Sequence, residues 1–379
     1  MTSIRFLHTS DWQLGMTRHY LEGEAQSRYT GDRVETIRRI GELARARECA
    51  FVVVAGDVFE HANLSRRDVG RALDAMGSVQ LPVYLLPGNH DPLGPGSIYA
   101  QDAFLGSTPD NVVLLDAVGP WPAADGVQLV AAPWRSKRPD ADPVAPALEG
   151  LEPDGTLRVV VGHGMLDELD PDRTSQVTVR RAPLEDALAR GAIHYVALGD
   201  RHIRWPEDDR GAIHYSGTHE STSFREPGRG HVLEVSLDGS GAQVTSHEVG
   251  QWEHLRIRRQ LDGPDDVDAL AAELAALTPK ERIILQTVFT GTLNLSASAR
   301  LEALLEQQAE VFASLNAWER HTDLAVVPDQ HEFEDLHVGG YAADAVTELR
   351  ERAASDGEDA PTAGDALRLL YRLVGGPTR

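Results

Sequence analysis

Five short polar segments, each placed where an apolar run ends, constrain this chain more than any other feature: Ser10-Asp11-Trp12-Gln13, Gly56-Asp57, Gly88-Asn89-His90-Asp91, Gly162-His163 and Gly199-Asp200-Arg201-His202. An apolar run that stops at such a segment is a buried strand delivering a loop, and loops at one sheet edge can converge on one site. Asp, Asn and His supply oxygen and imidazole donors there, which are the ligands of divalent metals. Glycines beside them let the backbone bend tightly next to a ligand. One such segment carries little information. Five in order read as a two-metal centre acting on a phosphoester.

The surrounding pattern predicts a layered fold. Short runs rich in Val, Ile, Leu or Tyr at 4–8, 51–55, 83–86, 112–115, 129–132, 159–161, 195–198 and 232–235, bounded by Gly, Pro or Asp, read as buried strands. Apolar residues recur at helical spacing over 32–48 and again over 66–76. Strands alternating with helices predict an α/β sandwich of two mixed sheets flanked by helices, spanning residues 1–250. After Trp252 the character changes. Residues 265–277 and 297–308 read as helices and 282–290 as a strand, which predicts a smaller α+β domain over 251–338. Helices at 342–354 and 363–373, joined by a polar, acidic linker at 355–364, form a C-terminal helical segment over 339–379.

Composition narrows the class. With 379 residues and 41% hydrophobic content, more than one true core can form. The first residues lack a basic stretch followed by a long apolar one, and no run approaches about 18 apolar residues. Neither export nor a membrane span is expected, and the cytoplasm is the default. The single cysteine, Cys49, precedes a strand and is expected to be a buried thiol. A net charge of −23 weighs against a nucleic-acid binder, because phosphate backbones attract basic surfaces. Net charge does not report local patches, however. Arginines at 135–138, 180–181 and 256–259 are candidates to face an anionic substrate, with solvated surface arginines as the alternative.

The segments Leu7-His8-Thr9-Ser10-Asp11-Trp12-Gln13-Leu14-Gly15, Ala55-Gly56-Asp57-Val58-Phe59, Pro87-Gly88-Asn89-His90-Asp91 and Ala197-Leu198-Gly199-Asp200-Arg201-His202 resemble the calcineurin-type metallophosphoesterases, and within them the SbcD family of DNA repair exonucleases. The resemblance covers roughly residues 1–240 and beyond Trp252 rests on layout. It implies a metallophosphoesterase fold with two metals, a capping domain shaping a DNA groove, a homodimer, and a C-terminal segment docking on an SbcC-like coiled-coil ATPase. Carried over by position, it places Asp11, Gln13, Asp57 and His202 around one metal, and Asp57, Asn89, His163 and Asp200 around the other, with Asp57 bridging. Two cations about 3.5–4 Å apart share a water, lower its pKa to give a hydroxide nucleophile, and hold the phosphate for in-line attack. His90 is the implied general acid for the leaving alkoxide, and Asp91 is expected to orient its ring.

Two positions depart from the family pattern. Asp-x-His becomes Asp11-Trp12-Gln13, and Gly-His-x-His becomes Gly199-Asp200-Arg201-His202. Both exchanges replace imidazole by oxygen. Harder cations then gain over Zn²⁺, so Mn²⁺ is expected, with Mg²⁺ or Fe²⁺ as alternatives. The opposite reading is decay to an inactive DNA-end scaffold, since Gln is a poor ligand beside His. A small-molecule phosphodiesterase is a further alternative.

Other features are open at this level. Tyr215-Ser216-Gly217-Thr218-His219-Glu220 either offers hydroxyls to DNA phosphates or ends a strand. Trp12 and Trp134 either stack on bases in a groove or are buried. His61 and His219 are candidates to replace a missing imidazole but receive no role. The apolar faces of the last two helices, including Ala342, Val346, Leu349, Leu367, Leu370 and Leu373, either cover their own chain or lie on a partner's coiled coil.

Overall fold

A computed structural model describes residues 3–137, 139–172, 177–326, 340–353, 355, 357 and 359–375. Arg138, residues 327–339 at the expected junction before the C-terminal helices, and the side chains of Ala342 and Leu373 lie outside the described residues. The chain divides into two compact units, Met1–His254 and Leu255–Arg379.

In the first unit the elements run β1 (Ser3–Thr9), α1 (Gly23–Ala46), β2 (Phe51–Val54), α2 (Arg66–Gly77), β3 (Val83–Leu85), α3 (Asp102–Leu105), β4 (Val112–Leu114), β5 (Gly119–Ala124), β6 (Val127–Ala131), α4 (Ala145–Leu148), β7 (Leu157–His163), α5 (Arg181–Ala189), β8 (Tyr195–Gly199), β9 (Ile213–Tyr215), β10 (His231–Asp238) and β11 (Gly241–Glu248). Two mixed sheets result, ordered β11-β10-β1-β2-β3-β4 and β5-β6-β7-β8-β9. Pleat alternation makes the layers. Phe6, Phe51 and Val53 of the first sheet meet Leu129, Val159, Val161 and Tyr195 of the second in one core between the sheets. The intervening residues turn outward: Leu7, Val52 and Val54 pack under α1 and α2, and Val130, Val160 and Val196 under α4 and α5. Strands buried on both faces read as continuous apolar runs, which is why they were legible in the sequence. The expected sandwich of two mixed sheets flanked by helices is the observed architecture.

The differences have local causes. α1 begins at Gly23 rather than Asp32 because its buried stripe continues through Ala25, Tyr29 and Arg33, and a buried arginine interrupts the apolar pattern. The Arg33 guanidinium donates to the Trp12 carbonyl at 2.6 Å and the Tyr29 hydroxyl at 3.1 Å, while Nε has no hydrogen-bond partner among the described residues. β5, which contains Pro120 and Pro122, is an edge strand, where missing N–H donors are tolerated. β11 alternates exposed and half-buried residues and so has no apolar run to betray it.

In the second unit, β12 (Glu253–Leu261), α6 (Pro264–Ala276), β13 (Ile283–Leu293), α7 (Leu295–Ala309), β14 (Ser314–Ala317), β15 (Asp323–Val326), α8 (Tyr341–Ala353) and α9 (Ala360–Gly375) follow. β12, β13 and β14 are neighbours in one sheet, and β15 also pairs with β13. Ile257, Leu270, Leu274, Leu285, Phe289 and Leu301 form the core. Leu295, Val346 and Leu367 form a second cluster, against which Leu349 and Leu370 pack. These residues of the C-terminal helices therefore cover their own chain. α9 starts at Ala360, inside the expected linker, because Pro361 sits in its first turn, where proline costs no hydrogen bond. No helix among the described residues is long and apolar enough to cross a membrane.

Two buried histidines beside Tyr195 give a pH dependence. Burial lowers the His8 pKa to about 3, with His214 adding to the effect, and burial lowers that of His214 to about 4. His8 lies 3.2 Å from the Tyr195 hydroxyl, and His214 stacks on that ring with centroids 5.3 Å apart. Both fold as neutral rings and charge on unfolding, so the unfolded chain binds more protons below about pH 6.5. Their contribution is complete above that pH and is lost progressively as pH falls towards 4, by up to about 1.4 kcal/mol per group per pH unit. Urea unfolding at pH 7.5 and pH 5 is expected to show this loss, and His214→Phe to shrink it. An unchanged pH slope in that variant counts against the assignment.

Candidate metal centre

Parallel pairing of β1 with β2 and of β2 with β3 brings the first three polar segments to one edge of the first sheet. Parallel pairing of β7 with β8 does the same for His163 and Asp200 in the second. Backbone bonds lock the first two loops together: Asp11 N–H to the Gly56 carbonyl at 3.1 Å, and Gln13 N–H to the Asp57 carbonyl at 2.8 Å. The second sheet is stitched to the first by the Asp200 N–H, which donates to Asp11 Oδ1 at 3.1 Å. His163 Nδ1 donates to the Ala55 carbonyl at 2.9 Å.

These loops carry backbone strain where the donors sit. Asp11 (φ 53°), Gln13 (φ 41°), Asp57 (φ 52°) and Asp200 (φ 91°) all occupy the left-handed region. Each such residue costs on the order of 1–3 kcal/mol, and such strain clusters at functional sites. Glycine makes the approach possible. A Cβ on Gly88 would lie 2.2 Å from Asp57 Oδ1.

The side chains converge. Asp11, Asp57 and His163 each offer a ligand atom, all within 4.8 Å of one another. His163 Nε2 lies 3.0 Å from Asn89 Oδ1, 3.3 Å from Asp57 Oδ1 and 3.9 Å from Asp200 Oδ1. His202 Nε2 lies 3.9 Å from Asp11 Oδ1. The His90 side chain is 37% exposed, with Nε2 3.9 Å from Asp57 Oδ2 and Nδ1 3.0 Å from the Glu60 carbonyl. Asp11, Asp57, Asn89, His90, His163, Asp200 and His202 thus lie close together; Gln13 joins them through its backbone bond to Asp57, and Asp91 does not take the role expected of it.

Asp91 does not face the His90 ring. Its carboxylate accepts from Gly88 N–H at 2.7 Å, Phe59 N–H at 3.0 Å and the Tyr99 hydroxyl at 2.6 Å, which ties three loops together below the site. Burial, helped by the Asp57 charge, raises its pKa to about 6. The Tyr215–Glu220 hydroxyls also turn inward. Thr218 Oγ1 donates to the Asp11 carbonyl at 2.9 Å, and Ser216 Oγ lies 3.0 Å from Ser10 Oγ. Both residues are buried, so they brace the Asp11 loop rather than contact a phosphate. Trp12 and Trp134 are buried as well, Trp134 donating to the His163 carbonyl at 2.6 Å, and neither lines a groove. His219 is spent on the Arg33 carbonyl at 2.9 Å. His61, exposed, accepts from Asn63 N–H at 3.2 Å. Neither replaces an imidazole. Arg181 is paired with Glu168 and Glu185, and Arg259 with Glu273, as solvated surface arginines are.

The donor set fits divalent cations. His163 Nδ1 faces a carbonyl, which can only accept, so the neutral ring directs a lone pair from Nε2 at the oxygens of Asn89, Asp57 and Asp200. Lone pairs held this close need a positive charge between them. Burial opposes charge on His163, but Asp57, Asp11 and Asp200 outweigh it and raise its pKa well above the usual value. Burial likewise pushes Asp57 up, yet His163 and His90 hold it below the ordinary carboxylate range. Asp11 and Asp200 are raised by burial. Burying carboxylates costs several kcal/mol each unless they are compensated, and a divalent ion compensates two. Gln13 Oε1 is buried with no hydrogen-bond partner among the described residues, which leaves an oxygen acceptor of the type that a divalent cation takes.

Sequence reasoning missed Glu226 and Glu60. Glu226 Oε1 lies 3.0 Å from His202 Nδ1. Glu60 Oε2 lies 3.7 Å from His90 Nδ1. Both sit in irregular segments far from their histidines in sequence, and no spacing signal marks them.

The profile of the calcineurin-like phosphoesterases matches residues 4–226. A subunit of the nuclease SbcCD from Rhodobacter capsulatus is 34% identical over 94 residues, covering 24% of this chain and 22% of that protein. DNA double-strand break repair protein Mre11 of Archaeoglobus fulgidus is 26% identical over 249 residues, covering 59% of this chain and 52% of that protein. The chain therefore spans about half or less of the length of these relatives. Among solved structures, TT1561 of Thermus thermophilus aligns with a TM-score of 0.41 at 13% identity, covering 65% of this chain and 100% of that one. Purple acid phosphatase PPD1 of yellow lupin, Lupinus luteus, aligns with a TM-score of 0.37 at 9% identity, covering 65% of this chain and 52% of that one.

Proposed function

The chain belongs to the calcineurin-like phosphoesterase family, and from that premise we propose that it is a two-metal phosphodiesterase that cuts DNA as the nuclease subunit of a repair complex. The observation that carries the reading is the convergence of Asn89 Oδ1, Asp57 Oδ1 and Asp200 Oδ1 on His163 Nε2, at 3.0–3.9 Å, with Asp11 within 4.8 Å of Asp57 and His163, and His202 Nε2 3.9 Å from Asp11. The names of two relatives, a nuclease subunit and a double-strand break repair protein, support DNA as substrate.

Asp57, grouped with Asp11 and His163 within 4.8 Å, is the proposed bridge. Asp11, Gln13 and His202 complete one set, and Asn89, His163 and Asp200 the other. Two divalent cations, when bound, supply a Lewis acid for the phosphate and an activated water. Three carboxylates, two amide oxygens and two imidazoles favour Mn²⁺ or Mg²⁺ over Zn²⁺. His90 is the proposed general acid: its Nδ1 is held by the Glu60 carbonyl, which leaves Nε2 to deliver a proton to the leaving alkoxide. Asp91 acts one step back, fixing the Gly88 and Phe59 backbones on either side of Asn89 and Asp57. A cytoplasmic setting, a homodimer and an SbcC-like ATPase partner belong to the same proposal. With Val346 and Leu367 buried in their own chain, such docking falls to other side chains.

The test is Mn²⁺-dependent cleavage of linear duplex DNA labelled separately at each end, with bis(p-nitrophenyl) phosphate in parallel. Cleavage of DNA that is lost in EDTA is expected. Hydrolysis of the small diester alone makes the chain a small-molecule phosphodiesterase. Activity on neither, with the ATPase partner also present, leaves a DNA-end scaffold.

A further inference from the structure

Glu226 is 7% exposed and hydrogen-bonded on every side. Oε1 lies 3.0 Å from His202 Nδ1 and accepts from the Thr222 hydroxyl. Oε2 accepts from Thr222 N–H at 2.5 Å. The segment is itself anchored, because Arg18 Nη2 donates to the Thr222 carbonyl at 2.7 Å and Glu226 N–H to the Ser223 carbonyl at 3.1 Å. A carboxylate can only accept, so His202 carries its proton on Nδ1. The lone pair on Nε2 then faces Asp11, whose Oδ1 is 3.9 Å away.

We propose that Glu226 is a positioning residue for the divalent cation held by Asp11 and His202, acting by locking the His202 tautomer and ring plane. This rests on the two-metal reading above. The carboxylate also places a negative charge behind the imidazole, which raises its basicity as a ligand. Nothing in the five polar segments points to it. The role follows from one hydrogen bond made across a loop.

Glu226→Gln separates positioning from packing, because it has the same shape. The Thr222 N–H is a fixed donor, so the amide oxygen must face it and the amide nitrogen must face His202 Nδ1. The amide nitrogen repels a proton on Nδ1, and the neutral amide removes the charge behind the ring, which leaves the Thr222 hydroxyl oxygen, 2.9 Å from Nδ1, as the one remaining acceptor to hold the tautomer. Calorimetric Mn²⁺ titration of the full chain is expected to show one of the two ions bound about 10–100-fold more weakly in this variant, the usual scale for such outer partners. The other ion keeps its affinity. In a His202→Asn background the same change is expected to cost nothing further, because its only route to the cation is gone. Equal losses in both backgrounds, or two ions bound by Glu226→Gln as tightly as by the wild type, overturn the proposal while leaving the two-metal reading intact. A wild type that binds no Mn²⁺ overturns both. Nitrogen NMR of the Mg²⁺-loaded wild type tests the tautomer without any variant: a proton on Nδ1 and none on Nε2 is expected, and the reverse refutes the lock.

Discussion

Asp57→Asn is expected to lower metal-dependent phosphodiester hydrolysis by on the order of 10³-fold, the scale of removing a preorganised electrostatic contact, with the fold unchanged by circular dichroism. The carboxylate is 2% exposed, so water cannot take over its place. Oδ1 accepts the His90 N–H at 2.9 Å and lies 3.3 Å from His163 Nε2, while Oδ2 faces His90 Nε2 at 3.9 Å. Asn preserves the shape and one acceptor but removes the charge through which the proposed bridge would hold both ions. A simple loss of one ligand would weaken one ion; loss of the bridge weakens both. Mn²⁺ calorimetry on the variant distinguishes these, and wild-type turnover in Asp57→Asn sinks the bridging role.

The second large effect is expected at Gly56, where no donor atom is changed. Its φ is +92°, and a Cβ there would lie 2.1 Å from His163 Nδ1 and 2.5 Å from Cγ. His163 cannot retreat, because it is fully buried and its Nδ1 is tied to the Ala55 carbonyl. Gly56→Ala therefore adds a steric term of about 1–3 kcal/mol to a left-handed strain of about 1–2 kcal/mol. Gly155, at φ +84° with nothing within 4 Å of its Cβ position, provides the strain alone. Urea denaturation is expected to show Gly155→Ala losing only the strain, and Gly56→Ala losing more together with its Mn²⁺ binding. Equal stability losses in the two variants would show that the imidazole yields easily and that its placement is not set by this contact.

The effects of both substitutions trace to residues that stood out in the sequence, yet the reason for the second did not. Gly56 was legible as a bend beside a ligand. That it sits against His163, more than 100 positions away, was not. The same division runs through the site. Asp11, Asp57, Asn89, His163, Asp200 and His202 were named from the places where apolar runs end, and the structure assembles them. Asp91 was named for the wrong partner, because adjacency to His90 in sequence suggested a contact that strand-end geometry directs elsewhere, towards Gly88, Phe59 and Tyr99. Ser216 and Thr218 sat in the expected segment but point into the protein.

By itself, the amino-acid sequence determined the sandwich and the location of the site. Strands buried on both faces must be apolar throughout, and the five points where Asp, Asn, His and Gly abruptly replace the apolar run mark where polar loops gather. Tertiary structure alone decided which oxygen serves which imidazole: the Glu226 carboxylate for His202, the Glu60 carbonyl for His90, the Ala55 carbonyl for His163. Hydrogen bonds act over about 3 Å and are indifferent to separation along the chain. Periodicity encodes burial, which each residue expresses locally. Partnership is a property of two loops folded against each other, and it leaves no mark in either.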